Sequence, residues 1–228
     1  MDERIFANRR AAGRALAEVM EPWAGAQDTL ILALPRGGVP VAHELALALG
    51  LPLDVFIVRK LGVPGQPEVA MGAVASGGAC LLNRSLINWL DITPEALAEE
   101  TATEQQELAR RERVYRGQRP LADCKGKTVI LVDDGVATGA SMRVAVSALR
   151  RAGAARIVVA IPVAPSDALA QLEEEADEVV CLSVPRIFGA IGQFYEDFTQ
   201  VTDEEVIADL AAHGAALPGS NVRTGDSG

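Results

Sequence analysis

Apolar positions in this chain follow two rhythms. Short, nearly unbroken apolar runs cover residues 30–34, 53–58, 128–132, 156–161 and 178–182, the pattern of strands buried on both faces. Between them, apolar residues recur at helical spacing. One such stretch is 8–20, where Ala11, Ala12, Leu16 and Val19 can share a face. The others are 40–49 with Gly50 as a stop signal, 140–151 ending near Gly153, and 166–175. The alternation predicts an α/β fold, a mainly parallel twisted sheet flanked by helices.

Three stretches break the alternation. Residues 61–78 are rich in Gly and Pro and predict, from Lys60 onward, a flexible loop over 60–78. Residues 85–115 predict a helical insertion: one or two turns at 86–90, then a long charged helix. Thr93 is its N-cap, Pro94 its first residue, and Glu95 puts a negative charge where the helix dipole favours it. Ala96 stands where a capping box needs Glu or Gln. Residues 185–212 are less regular. Residues 213–228, with Pro, Gly, Ser, Asn and Asp from Leu217 on, predict a disordered tail.

Composition narrows the function. The 228 residues suffice for one domain or a domain with a small cap, and 49% apolar residues supply its core. With 31 acidic and 21 basic residues the net charge is −10, which repels a nucleic-acid backbone and leaves room only for a local basic pocket. Cys80, Cys124 and Cys181 form no C-x-x-C pair and no disulfide framework; Cys80 and Cys181, in apolar runs, read as core thiols. Two histidines, His43 and His213, are too few for a His-rich metal site. No run is long enough to span a membrane, and the N-terminus lacks a signal's apolar stretch. The expectation is a soluble, cytoplasmic protein.

The candidate chemistry lies at residues 129–141. A buried strand ends in two carboxylates, Asp133 and Asp134, at the sheet edge where open α/β folds bind ligands. The small residues Gly135-Val-Ala-Thr-Gly-Ala-Ser141 then lead into a helix. Such a loop brings backbone N–H groups, a helix N-terminus and two hydroxyls, Thr138 and Ser141, to an anion. Carboxylates for sugar hydroxyls beside a cradle for phosphate suit a sugar phosphate. A helix-capping role explains one Asp but not the whole series. The missing Lys excludes a Walker A loop.

This segment resembles the signature with which type I phosphoribosyltransferases bind 5-phosphoribosyl 1-pyrophosphate (PRPP). The resemblance covers residues 28–183 as an α/β core. It implies a small hood, built from residues 1–27 and 184–212, that selects the nucleophile. It implies that Asp133 and Asp134 hold the ribose hydroxyls and that Ala137, Thr138, Gly139, Ala140 and Ser141 wrap the 5-phosphate. Pro35-Arg36-Gly37-Gly38 matches the family's pyrophosphate loop, where a cis peptide often turns N–H groups to the ligand and Arg36 and Gly37 would touch it. Arg59 and Lys60 match the start of a catalytic loop that closes over PRPP, and a solvated basic pair at a strand end fits them equally. With Asp134 they are the candidate catalytic residues.

The activity implied is transfer of the phosphoribosyl group from PRPP to a nitrogen acceptor, expected to be a nucleobase, with release of pyrophosphate. Mg²⁺ would arrive with PRPP and need no dedicated protein ligands. A homodimer is also implied. Residues 185–198 hold three of the five Phe and one of the two Tyr. Aromatics more often pack a core than carry a ligand; Phe188 and Tyr195 are the candidates for the acceptor site. Ala137 stands where the oxopurine-using branch has an acid that assists proton transfer, so the Ala-Thr-Gly form is nearer the adenine branch. Pro-Arg-Gly-Gly-Val-Pro, Val-Arg-Lys-Leu-Gly and Gly-Gln-Phe-Tyr-Glu-Asp-Phe are similar to a bacterial group of phosphoribosyltransferases without an assigned acceptor. The alternative is a non-catalytic PRPP-sensing regulator, which the acidic charge and the lack of a DNA-binding extension disfavour.

Overall fold

The computed structural model describes residues 4–213. Most of the expected tail lies outside them, but His213 is described and buried. Five parallel strands form the central sheet: β1 (Thr29–Ala33), β2 (Leu53–Val55), β6 (Thr128–Val132), β7 (Arg156–Val163) and β8 (Glu178–Ser183), in the order β2-β1-β6-β7-β8. Successive side chains alternate between faces. Ile31, Ile130 and Val158 pack under α1 (Arg9–Val19), α2 (Gly38–Leu49) and α7 (Asp203–Ala211). Leu32, Leu131 and Val159 pack under α5 (Ala140–Arg151) and α6 (Ser166–Glu175). In α1 the buried face runs through Ala12, Leu16 and Ala17, whereas Val19 is exposed.

Two expectations fail together. The apolar run 53–58 is not one strand. β2 ends at Val55, the buried Phe56 and Ile57 turn the chain, and β3 (Val58–Val63) starts a second sheet. The expected loop at 60–78 is an antiparallel ribbon: β3 pairs with β4 (Gln66–Ala75), which pairs with β5 (Ala79–Leu82). The Gly and Pro residues mark its punctuation rather than a missing structure. Gly65, with φ 76°, makes the turn, and register shifts flank Gly62. This ribbon packs between α4 (Pro94–Arg116) and α5.

Helix α4 follows the short α3 (Arg84–Trp89), and the Thr93 side chain accepts from Ala96 N as its cap. Its last residue reaches inward. Arg116 donates to Asp54 at 2.9 Å, to Glu112 at 2.9 Å and to the carbonyl of Val55 at 2.5 Å. The Ser76 hydroxyl donates to Glu112 and accepts from Ile57 N, so the network ties α4 to both sheets where the chain leaves β2.

The two histidines meet at the α2–α7 packing, His213 Nε2 lying 3.1 Å from His43 Nδ1. Burial, with the neighbouring His43, holds His213 below the ordinary imidazole range. A depressed folded pKa means that the unfolded chain binds the proton more tightly. Stability is therefore full above the unfolded value near 6.5 and falls as pH drops through the folded one. We expect His213→Gln to flatten the acid side of a thermal-unfolding profile, measured between pH 5 and 7.

All three cysteines are free; Cys124 is the buried one, and burial pushes its thiol up to about 11. Among the described residues no helix is long and apolar enough to cross a membrane.

Candidate active site

Strand order changes direction at β1 and β6. From β1 the chain goes to β2 on one side, and β6, β7 and β8 lie on the other. Such a switch opens a crevice at the carboxyl ends of the two strands. The register Ala33↔Val132 sets Leu34 beside β6, and Leu34 N donates to the Val132 carbonyl at 2.9 Å. The segment 35–38 and the pair Asp133–Asp134 therefore meet at the crevice. The Pro35–Arg36 peptide is cis. A Cβ at Gly37 would overlap the Asp134 carboxylate, and one at Gly38 would overlap the Val132 carbonyl. Only glycine allows this approach. We expect Gly37→Ala to cost about 1–3 kcal/mol of stability, read as a lower melting temperature, and to weaken PRPP binding in the same preparation.

Beyond the acid pair, Val136 N is held by the Val163 carbonyl at 2.9 Å, which fixes the entry to the small-residue loop. Gly139, with φ 76°, is the N-cap of α5, and no side chain caps that helix. The Thr138 hydroxyl accepts from Ala140 N at a long 3.5 Å, which leaves the following N–H groups of the first turn to an external acceptor. Ala137, Thr138, Ala140 and Ser141 are exposed around it.

Asp134 is almost enclosed. Its Oδ2 accepts from Arg9 Nε at 2.6 Å, and its carbonyl accepts from the Tyr195 hydroxyl at 2.5 Å. Asp133 Oδ1 accepts from Asp134 N at 2.8 Å. Burial, then the neighbouring Asp134 charge, pushes Asp133 well above the ordinary carboxylate range. Burial also raises Asp134, against the opposing pull of Arg9. Two carboxyls that are costly to ionise unaided suit a site completed by a ligand's donors.

Other expected site residues lie elsewhere or are already engaged. Arg59 turns to α4, where its Nε donates to Glu104 at 2.6 Å; Lys60 is exposed on β3. Arg36 lies 3.8 Å from Asp203 at the start of α7. Tyr195 is buried against Phe6 and Phe198, with its hydroxyl given to Asp134. Burial pushes that phenol far above its usual range. It packs the site rather than offering a face to an acceptor. Phe188 is half-buried and stacked on Phe194 at 5.4 Å.

The residue missed from sequence is Arg9, whose approach to Asp134 spans 125 positions and leaves no local signal. Helix α7 did carry one. Thr202 and Glu205 form a reciprocal capping box at its start.

Fold and crevice define an α/β protein with its candidate site at a topological switch point. Residues 3–199 match the model of the Phosphoribosyl transferase domain, and the chain belongs to that family. It is 42% identical over 207 residues to Rv0571c of Mycobacterium tuberculosis H37Rv, which carries the provisional name phosphoribosyl transferase. The match takes in 91% of this chain and 46% of that protein, so the chain spans about half the length of the curated relatives it matches. Among solved structures it is similar to TT1426 of Thermus thermophilus, with 48% identity and a TM-score of 0.80. That alignment covers 91% of this chain and 98% of the other.

Proposed function

We propose that this chain is a phosphoribosyltransferase that moves the 5-phosphoribosyl group from PRPP to a nitrogen acceptor, with inversion at C1 and release of pyrophosphate. The observation that carries the reading is the meeting, at one sheet edge, of the acid pair 133–134, the loop 137–141 and the Arg36–Gly37 turn. The loop and the uncapped N-terminus of α5 take the 5-phosphate. The acid pair faces the ribose, and the Arg36–Gly37 turn meets the pyrophosphate.

The transition state spreads positive charge over the ribose ring and negative charge over the leaving group. Positioning and electrostatics then supply the catalysis, with no covalent nucleophile. Among the described residues no three His, Cys, Asp or Glu side chains gather as a metal cage. Mg²⁺ carried in by PRPP would need no dedicated protein ligands and would supply positive charge against the leaving pyrophosphate. Lys60, exposed on the ribbon, is the cation free to approach that charge; Arg59 would first have to leave Glu104.

The acceptor is a nucleobase or another flat nitrogen compound. Ala137 offers no acid for oxopurine chemistry, which favours acceptors that need no such proton transfer. The test is pyrophosphate release from Mg²⁺–PRPP across purine, pyrimidine, pyridine and amine acceptors. Release with one class supports transfer and names the acceptor. Tight PRPP binding with no release from any acceptor would favour a PRPP-sensing regulator instead.

A further inference from the structure

Arg9 is held in place twice over. As the first residue of α1 it follows Asn8, whose side chain caps the helix by accepting from Ala11 N at 2.9 Å. The residues before it are laced to the other terminal segment: Phe6 N donates to the Phe194 carbonyl, Glu196 N to that of Phe6, and Asp197 N to that of Ala7. From this anchorage the guanidinium makes three contacts. Nε meets Asp134 Oδ2 at 2.6 Å, Nη1 donates to the Thr199 carbonyl at 2.8 Å, and the group lies 3.8 Å above the Phe198 ring. The Arg9 and Asp134 side chains are only 11% and 10% exposed, unlike a loose surface pair.

The Asp134 carboxylate thus has Arg9 on one side and Gly37 on the other, and its carbonyl is taken by Tyr195. Asp133 is different. It is half-buried, and no cation pairs with it among the described residues. Resting on the reading of the acid pair as the ribose site, we propose that the two acids do different work, with Arg9 as the positioning residue that separates them. Asp133 meets the ribose hydroxyls. Arg9 holds the Asp134 carboxylate as the joint between the terminal segments and the Arg36–Gly37 turn. A shift of the terminal segments is then felt at the Asp134 carboxylate through this ion pair, beside the Tyr195 bond to the Asp134 carbonyl and the Arg36–Asp203 pair.

The test is Mg²⁺–PRPP affinity by calorimetry from pH 5 to 8, on the full chain and on Arg9→Lys, Arg9→Met, Asp133→Asn, Asp134→Asn and the Arg9→Met/Asp134→Asn double variant. Asp133→Asn should lose about 100-fold, since it removes charged hydrogen bonds to the ligand. Asp134→Asn and Arg9→Met should each lose about tenfold, and the double variant no more than Asp134→Asn alone, as coupled residues do.

Without Arg9 the Asp134 carboxyl binds its proton more tightly, so the pH below which affinity falls should move up. Arg9→Lys should bring it back. A merely structural arginine would not move that midpoint. Equal losses in the two single Asn variants, additive losses in the double variant, or an unmoved midpoint in Arg9→Met would overturn the division of labour. Should Arg9→Met fail to fold, Arg9→Lys and the two single Asn variants still decide it. Absence of PRPP binding by the unaltered chain would overturn the donor reading itself, and this inference with it.

Discussion

Replacing both Asp133 and Asp134 by Asn should cost the protein its hold on PRPP while leaving it folded. A hydrogen bond to a charged group contributes about 1.5–3 kcal/mol, so losing those that Asp133 accepts from the ribose, together with the Asp134 joint, weakens binding roughly 100-fold or more. Both side chains keep their shape, and burial already disfavours their charge. The double variant should therefore melt no more than a few degrees from the parent. Calorimetric titration with Mg²⁺–PRPP, beside a thermal melt, reads both quantities. Unchanged affinity in the double variant would remove the acid pair from the donor site. Loss of affinity together with a collapsed melting temperature would show a structural role instead.

The largest effect on stability belongs to Arg116, at the carboxyl end of β2. Its side chain and that of Asp54 are 3% and 2% exposed, and the pair sits where β2 gives way to the ribbon. Replacing Arg116 by Met leaves the Asp54 carboxylate buried without a cation, although Ala122 N still donates to it at 3.2 Å. Breaking a buried pair in this way costs about 3–5 kcal/mol. For a chain of this size each kcal/mol lowers the melting temperature by about 2–4 °C, so a fall on the order of 10 °C is expected. Adding Asp54→Leu should recover part of it, because the stranded charge goes as well. A single variant that melts within a degree or two of the parent would mean that the network contributes little.

The two predictions also mark where the sequence is legible. The donor segment can be read because its parts are contiguous: strand, acid pair, small-residue loop and helix follow one another within residues 128–151. Parallel strands buried on both faces leave unbroken apolar runs, which is why β1, β6 and β7 emerge from the pattern, and the half-buried edge strand β8 keeps such a run as well. The same property hides the break after β2. An unbroken run cannot show that Phe56 and Ile57 turn from one sheet to another.

In the ribbon, Gly and Pro residues obscure an alternation that Leu61, Val63, Met71 and Ala73 do carry, each buried. The joining of Arg9, Tyr195 and Asp134 is beyond any local signal, because the contacts cross 125 and 61 positions. What the terminal segments do to the crevice is a property of the fold.

The central claim is that this crevice binds PRPP as one ligand, grasping the 5-phosphate, the ribose and the pyrophosphate together. The direct measurement is titration of the full chain with PRPP in the presence of Mg²⁺, set against ribose 5-phosphate and pyrophosphate alone. Joining two anchored groups makes the second contact intramolecular. PRPP should therefore saturate one site per chain at least about tenfold more tightly than either fragment. PRPP that binds no better than ribose 5-phosphate, or not at all, would contradict the account.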